Sequence, residues 1–92
     1  MLASGRRRAV KYGVTADKVT AQEVHAYWYA SKLLACHLCG LSFSTVHPIS
    51  LDHVEPLSKG GTHTLANFAP AHRWCNTQKG NRPAERYRRG AA

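Results

Sequence analysis

Residues able to support hydrolytic chemistry are concentrated in two short stretches of the chain. In residues 52–61 a carboxylate and an imidazole are adjacent, at Asp52 and His53, and residues 72–80 contain the amide Asn76. A carboxylate is a suitable oxygen ligand for a hard cation. A neutral imidazole can accept a proton from water. The pair at 52 and 53 would therefore allow a metal ion and a base to approach one phosphate group from different sides.

The cysteines predict a second metal site. Cys36 and Cys39 are three residues apart, and His72 and Cys75 repeat that spacing. Two such pairs are typical of a tetrahedral structural zinc site of the Cys₃His type. A redox role for the first pair is disfavoured because no thioredoxin-like βαβ pattern surrounds it. In the remaining alternative His72 is only a surface residue and Cys75 a small buried hydrophobe, which leaves the matched spacing unexplained.

Length, charge and cysteine content limit the class of protein. A chain of 92 residues is one small domain that needs a staple besides its hydrophobic core. An odd number of cysteines, without a signal peptide or an apolar run of membrane-spanning length, leads us to expect a reducing cytoplasm and no membrane association. The net charge of +8 predicts an anionic polymer as partner.

The elements that position these groups follow from local signals. Residues 1–18 are expected to form a basic, flexible arm with little structure, and 84–92 a basic tail, on either side of a domain spanning 19–83. The pattern from Thr20 to Glu23 is a capping box, which predicts a helix beginning at Ala21.

The centre of the chain reads as a strand followed by a second helix. The apolar run 49–54 predicts a short strand with Asp52 and His53 at its end, before a turn enforced by Pro56. A helix containing Asn76 should follow Pro70 and end at Gly80. The fold class is therefore α+β.

These motifs together resemble the HNH endonucleases of the ββα-metal, or His-Me finger, fold. The resemblance extends from Cys36 to Gly80 and comprises C-x-x-C, then D-H-x-x-P-L-x-x-G-G, then an asparagine followed by a hydrophobic residue, then H-x-x-C-N-x-x-K-G. It implies a small ββα-metal domain stapled by a zinc knuckle. It further implies metal-dependent hydrolysis of DNA phosphodiester bonds, by nicking or by double-strand cleavage.

Roles for individual residues are also implied by the resemblance. His53 is expected to be the general base, and Asn67 to hold the loop that orients its ring. Asp52 and Asn76 are expected to bind one divalent metal ion, either Mg²⁺, Mn²⁺ or Ni²⁺. Asn76 stands where the common pattern has a histidine, which leaves the identity of this metal open. His72 stands where other members carry a cysteine.

Several polar residues are assigned by position alone. His63, in a polar loop, is expected to be solvated rather than to approach DNA, and His37 to face outward. The basic residues expected to contact the DNA backbone are Arg6, Arg7, Arg8, Lys11, Arg73, Lys79, Arg82, Arg86, Arg88 and Arg89.

Two alternatives to DNA cleavage stay open. One is a non-catalytic, zinc-stapled DNA-binding module, and the other is a nuclease specific for RNA or for a nucleic-acid structure. Small free-standing members of the family often come from bacteriophages, where some act beside the large terminase subunit in genome packaging. By analogy this subunit is a candidate partner and the host cytoplasm a candidate location.

Overall fold

The protein consists of four α-helices around one two-stranded antiparallel sheet, as shown by a computed structural model that describes residues 2–44 and 49–91. The elements in order are α1 (Leu2–Tyr12), α2 (Ala21–Ala30), β1 (Ile49–His53), β2 (Phe68–His72), α3 (Arg73–Lys79) and α4 (Ala84–Ala91). Two short 3₁₀ turns, Leu57–Lys59 and Leu65–Asn67, lie between the strands. The predicted α+β class is confirmed.

Helix α2 begins where its capping signal predicts. The Thr20 hydroxyl accepts a hydrogen bond from the Glu23 backbone N–H at 3.2 Å, and the Glu23 carboxylate accepts one from the Thr20 N–H at 3.2 Å. These bonds satisfy two backbone donors that the first helical turn would otherwise leave unpaired. On the inner face of the helix, Trp28 is buried and its indole N–H donates to the Phe68 carbonyl at 3.1 Å. Helix α2 is thereby fixed to the start of β2.

The sheet separates two hydrophobic clusters. Strands β1 and β2 pair in a register that places Asp52 opposite Ala69 and His53 opposite Phe68. Side chains alternate between the two faces of a strand, so Phe68 and Ala71 point in opposite directions. Phe68 packs with α2 in one cluster, and Ala71 packs with Cys36 and Cys75 in the other. The apolar core thus supports the end of β1 from both sides.

The expectation that residues 1–18 have little structure is wrong. Residues 2–12 form α1, in which Gly5 and Ala9 are buried. The segment after the helix is tied to the loop between the strands, because the His63 N–H donates to the Thr15 carbonyl at 2.8 Å and the Asp17 N–H donates to the His63 carbonyl at 2.9 Å. Small residues four positions apart let the helix approach the domain closely. Contacts with the body of the domain therefore order this basic segment.

The predicted helix around Asn76 is confirmed as α3. It ends at Gly80, whose positive φ of 57° is unfavourable for residues with a Cβ atom. Helix α4 follows directly and carries the basic residues of the expected C-terminal tail. Among the described residues, no helix combines the length and apolarity needed to cross a membrane.

Candidate active site and metal centre

The four residues predicted to bind zinc come together in space. The potential ligand atoms of Cys36, Cys39, His72 and Cys75 all lie within 4.8 Å of one another. The knuckle supplies Cys36 and Cys39, while the end of β2 and the first turn of α3 supply His72 and Cys75. None of the three thiols forms a disulfide. Three thiols and one imidazole converging in this way form a cluster that could hold a metal ion such as zinc.

The His72 ring is oriented for metal binding through its Nδ1 atom. Nδ1 lies 3.4 Å from the Cys39 Sγ, whereas Nε2 lies 3.1 Å from the Ser42 carbonyl oxygen. Since a carbonyl can only accept, Nε2 carries the proton and Nδ1 presents its lone pair to the thiols. Metal-bound histidines are commonly oriented by such a bond from their second nitrogen.

The electrostatics of the thiols also favour a bound cation. Burial raises the pKa of Cys36, but backbone N–H groups of His72, Cys39 and Leu38 outweigh it and lower the pKa to about 7. For Cys75, burial and the neighbouring cysteines raise the pKa to about 12. Three thiolates this close repel one another unless a cation neutralises them. The three sulfurs and one imidazole nitrogen therefore fit Zn²⁺. We propose that the site binds this ion.

Three residues predicted to act on a phosphodiester line one cavity. Asp52, His53 and Asn76 border a space of about 270 Å³, which Arg8 and Tyr12 of α1 also line. The two strand residues reach it from the end of β1, and Asn76 reaches it from α3. The resemblance implied the first three residues, whereas the presence of Tyr12 follows from the unexpected packing of α1.

Asp52 is buried in a network of hydrogen bonds. Its Oδ1 accepts from the Lys79 ammonium at 3.1 Å, and its Oδ2 lies 2.8 Å from the His37 Nε2. Lys79 also donates to the His53 carbonyl at 3.0 Å. On the far side of His37, Nδ1 lies 2.6 Å from the Arg88 Nη2. This network connects the zinc knuckle, α3 and α4 to the end of β1.

Two expectations are corrected by this network. Lys79 does not belong to the expected DNA contacts, because it is 2% exposed and its ammonium donates to Asp52. His37 points inward to Asp52 rather than outward. Both are buried because a carboxylate in the interior requires charged or hydrogen-bonding partners.

The donor atoms bordering the cavity fit a hard divalent ion. The Asn76 amide nitrogen donates to the Leu51 carbonyl and the Ser50 hydroxyl, each at 3.1 Å. This identifies which end of the amide is the nitrogen, because a backbone carbonyl cannot donate, and leaves the amide oxygen out of these two bonds. Asp52 contributes carboxylate oxygens, and carboxylates that bind metal are themselves usually hydrogen-bonded. Carboxylate and amide oxygens are the ligand types that a hard divalent ion takes, so Asp52 and Asn76 are the residues that could hold one. In this structure both Asp52 oxygens are bonded to Lys79 and His37.

The environment of His53 keeps its imidazole neutral. Burial, followed by the charges of His63 and Arg8, lowers the pKa of His53 from 6.5 to about 4. At neutral pH the ring therefore has a lone pair available to accept a proton.

Asn67 ties together the chain segments that follow His53 and precede His63. Its Oδ1 accepts from the Glu55 N–H at 2.9 Å, and its Nδ2 donates to the carbonyls of Glu55 and Thr62 at 2.9 and 2.8 Å. Gly61 completes the loop, because an added Cβ atom would lie 1.9 Å from the Glu55 oxygen. The amide does tie the loop near His53, as expected, and its influence on the His53 ring stays a prediction.

His63 is buried, contrary to the expectation of a solvated loop residue. It is 1% exposed, and its Nδ1 lies 3.0 Å from the His53 Nε2. Burial and the charges of Arg8 and Arg6 lower the pKa of His63. No local sequence signal separates this histidine from a solvated one, since its burial depends on α1.

Most of the expected DNA-contacting residues lie on the surface. Of the described side chains, those that are exposed are Arg6, Arg7, Arg8, Lys11, Arg73, Arg82, Arg86 and Arg88. Arg89 belongs to α4, but its side chain lies outside the described part of the structure. Of these exposed groups, Arg8 borders the cavity and the others lie elsewhere on the described surface.

Comparison with known protein families assigns the chain to one of them. The model of the HNH endonuclease family matches residues 36–82, just over half of the chain. The match includes the zinc-type cluster, both strands and α3. The chain belongs to the HNH endonuclease family. No curated protein and no solved structure shows a significant match to it.

Proposed function

We propose that the protein is a metal-dependent endonuclease that hydrolyses phosphodiester bonds of DNA. The observation that carries the proposal is the convergence of Asp52, His53 and Asn76 on one cavity that also receives Arg8. A base, two oxygen ligands and an arginine in one space provide the groups that phosphodiester hydrolysis needs.

In the proposed reaction His53 takes a proton from the water that attacks phosphorus. As the water oxygen bonds to phosphorus, the bond from phosphorus to the 3′-oxygen breaks, and the 3′-oxygen takes up a proton from solvent. The products are a 5′-phosphate and a 3′-hydroxyl. A divalent ion held by Asp52 and Asn76 would stabilise negative charge on the leaving oxygen. Arg8, which lines the cavity, would pair with a phosphate group of the DNA. An anionic phosphate near His53 would also raise its pKa, which strengthens it as a base.

The wider surface suits a polyanion more than it suits a particular sequence. The exposed arginines on α1 and α4 are at positions that can pair with phosphates. Phosphate contacts fix position without reading bases. We therefore propose cleavage with little sequence preference, directed in the cell by a targeting partner. A phage large terminase subunit, in a host cytoplasm, is the candidate that the family resemblance offers.

One contact favours the non-catalytic alternative. The Lys79 ammonium already pairs with Asp52, which places a positive charge where a metal ligand is required. A module that only binds DNA would retain this pair and would need no exchangeable divalent ion. Binding without cleavage under every metal condition would support this alternative.

The decisive experiment is cleavage of supercoiled plasmid by the purified protein with Mg²⁺, Mn²⁺, Ni²⁺ or EDTA. The parent should cleave with at least one metal and not with EDTA. His53→Ala should lose about 10²–10⁴-fold in rate with DNA affinity retained, because only the base is removed. His25→Ala is the control, since this exposed histidine lies on α2 away from the cavity. Equal rates for parent and His53→Ala would overturn the assignment of the base.

A further inference from the structure

The ring of His53 is in direct contact with a second buried histidine. The His53 Nε2 and His63 Nδ1 atoms lie 3.0 Å apart, and the ring centroids lie 5.3 Å apart. At this separation one nitrogen must donate a proton and the other must accept it. The contact therefore couples the tautomer of one ring to that of the other.

The position of His63 is fixed on several sides. Its backbone N–H and carbonyl are both bonded to the segment after α1, at Thr15 and Asp17. Phe68 packs edge-on against both rings, with centroid distances of 5.4 Å to His53 and 4.8 Å to His63. Opposite this ring lies Gly5, where even a single added Cβ atom would come within 2.7 Å of the His63 Cε1. A buried polar side chain packed this closely has little freedom to turn.

The role of His53 as a base determines the direction of the hydrogen bond. Because Nε2 of His53 faces His63, Nδ1 is the nitrogen left to accept a proton from water. A neutral ring that accepts at Nδ1 carries its own proton on Nε2. A neutral His63 then accepts at Nδ1, and His53 donates from Nε2. The lone pair of His53 is consequently on Nδ1.

We infer that His63 is a positioning residue for His53: it accepts the Nε2 proton of His53 and thereby fixes both the ring and the tautomer that leaves Nδ1 as the base. The inference rests on the proposed nuclease function for its consequence in catalysis. The tautomer of His53 can be measured without cleavage, so the direction of the hydrogen bond can be tested separately from activity. Part of α1, which lies outside the family match, then belongs to the active centre because it encloses this pair.

Two substitutions separate positioning from packing. His63→Asn retains an acceptor at the position of Nδ1, whereas His63→Leu fills a similar volume without one. His63→Leu should lower kcat by about 10- to 100-fold, the usual loss when the partner that orients an imidazole is removed. KM should change little, and His63→Asn should recover most of the rate. His25→Ala, on an exposed residue, should match the parent.

Nitrogen NMR of the imidazoles gives a readout that does not depend on cleavage. His53 should show the Nε2–H tautomer in the parent and in His63→Asn, and should lose this fixed form in His63→Leu. Full activity of a folded His63→Leu protein would overturn the inference, as would an Nδ1–H tautomer of His53 in the parent. If His63→Leu fails to fold, the tautomer in the parent and the rate of His63→Asn decide. An inactive parent, or a fully active His53→Ala protein, would instead refute the proposed function and leave the tautomer measurement valid.

Discussion

The ammonium of Lys79 donates to the Oδ1 atom of Asp52 at 3.1 Å, in a pair whose side chains are 2% and 4% exposed. Removing one partner of a buried ion pair leaves the other charge without compensation, and this is usually more costly than the pair is stabilising. Loss of one partner alone would therefore disrupt the end of β1, whatever role Asp52 has toward a metal.

Lys79→Met should accordingly destabilise the fold by about 3–5 kcal/mol, measured by urea unfolding with zinc present. Lys59→Met is the matched control, because Lys59 is exposed in the loop after β1 and should change stability by less than about 0.5 kcal/mol. Equal effects of the two substitutions would show that the Lys79 pair does not stabilise the interior.

Removal of the knuckle metal should unfold the protein. A domain of this size has little core to spare, so the free energy of metal binding should be a large part of the free energy of folding. We expect the purified protein to carry zinc, and a strong chelator to abolish its cooperative thermal transition until zinc is added back. Cys75→Ser should show the same loss. A metal-free protein that unfolds cooperatively at the temperature of the zinc-loaded form would contradict this prediction.

Gly5→Ala should impair both stability and cleavage. Alanine favours helix by about 1 kcal/mol over glycine at an exposed site. At this position, however, its Cβ atom would lie 2.7 Å from the His63 ring, which cannot retreat because it is buried. Ser4→Ala, at an exposed position of the same helix, is the control. Thermal unfolding and plasmid nicking check the prediction, and a Gly5→Ala protein as stable and active as the parent would refute it.

Neighbouring arginines of α1 should differ in their effects. Arg8 borders the cavity beside Asp52 and His53, whereas Arg7 lines a separate groove. Arg8→Gln should lower kcat as well as affinity. Arg7→Gln should lower affinity alone and reduce the log–log salt slope of DNA binding by about 0.9 if it neutralises one phosphate. Binding titrations at several salt concentrations measure the effect on affinity, and single-turnover cleavage measures the effect on kcat. Identical losses of kcat would contradict the placement of Arg8.

The burial of His63 predicts a pH-dependent stability. Burial, with Arg8 and Arg6, holds its pKa below 6.5 in the folded state, so the unfolded chain binds more protons below that pH. The free energy of unfolding should therefore fall as the pH falls below 6.5. The slope measures how many more protons the unfolded chain binds than the folded protein, and His63→Leu should lower this number by up to one. Urea unfolding of zinc-loaded protein between about pH 7 and 5.5 measures the slopes. Equal slopes for the parent and His63→Leu would refute the prediction.

The sequence predicts well those structural features whose residues lie within a few positions of one another. The Cys36 to Cys39 interval and the capping box at Thr20 are local patterns, and their local geometry is what the structure shows. Asp52 and His53 are adjacent in sequence, so their common location at a strand end required only the strand to be identified.

The parts that sequence does not reveal depend on contacts between distant segments. Lys79 is buried because Asp52 lies opposite it, and nothing near Lys79 in the sequence distinguishes it from a surface lysine. The buried face of helix α1 is formed by the small residues Gly5 and Ala9 and not by a stripe of large apolar residues. Patterns of hydrophobicity are insensitive to a face defined by size.

The packing of α1 against His63 also has a consequence for the order of assembly during translation. Residues 2–12 leave the ribosome before the loop that covers Gly5, and also before His72 and Cys75. Helix α1 thus cannot complete its packing on the nascent chain until most of the domain has emerged. The cavity that Arg8 shares with Asp52 and His53 is consequently completed only after both strands have been made, although Arg8 precedes them in the chain.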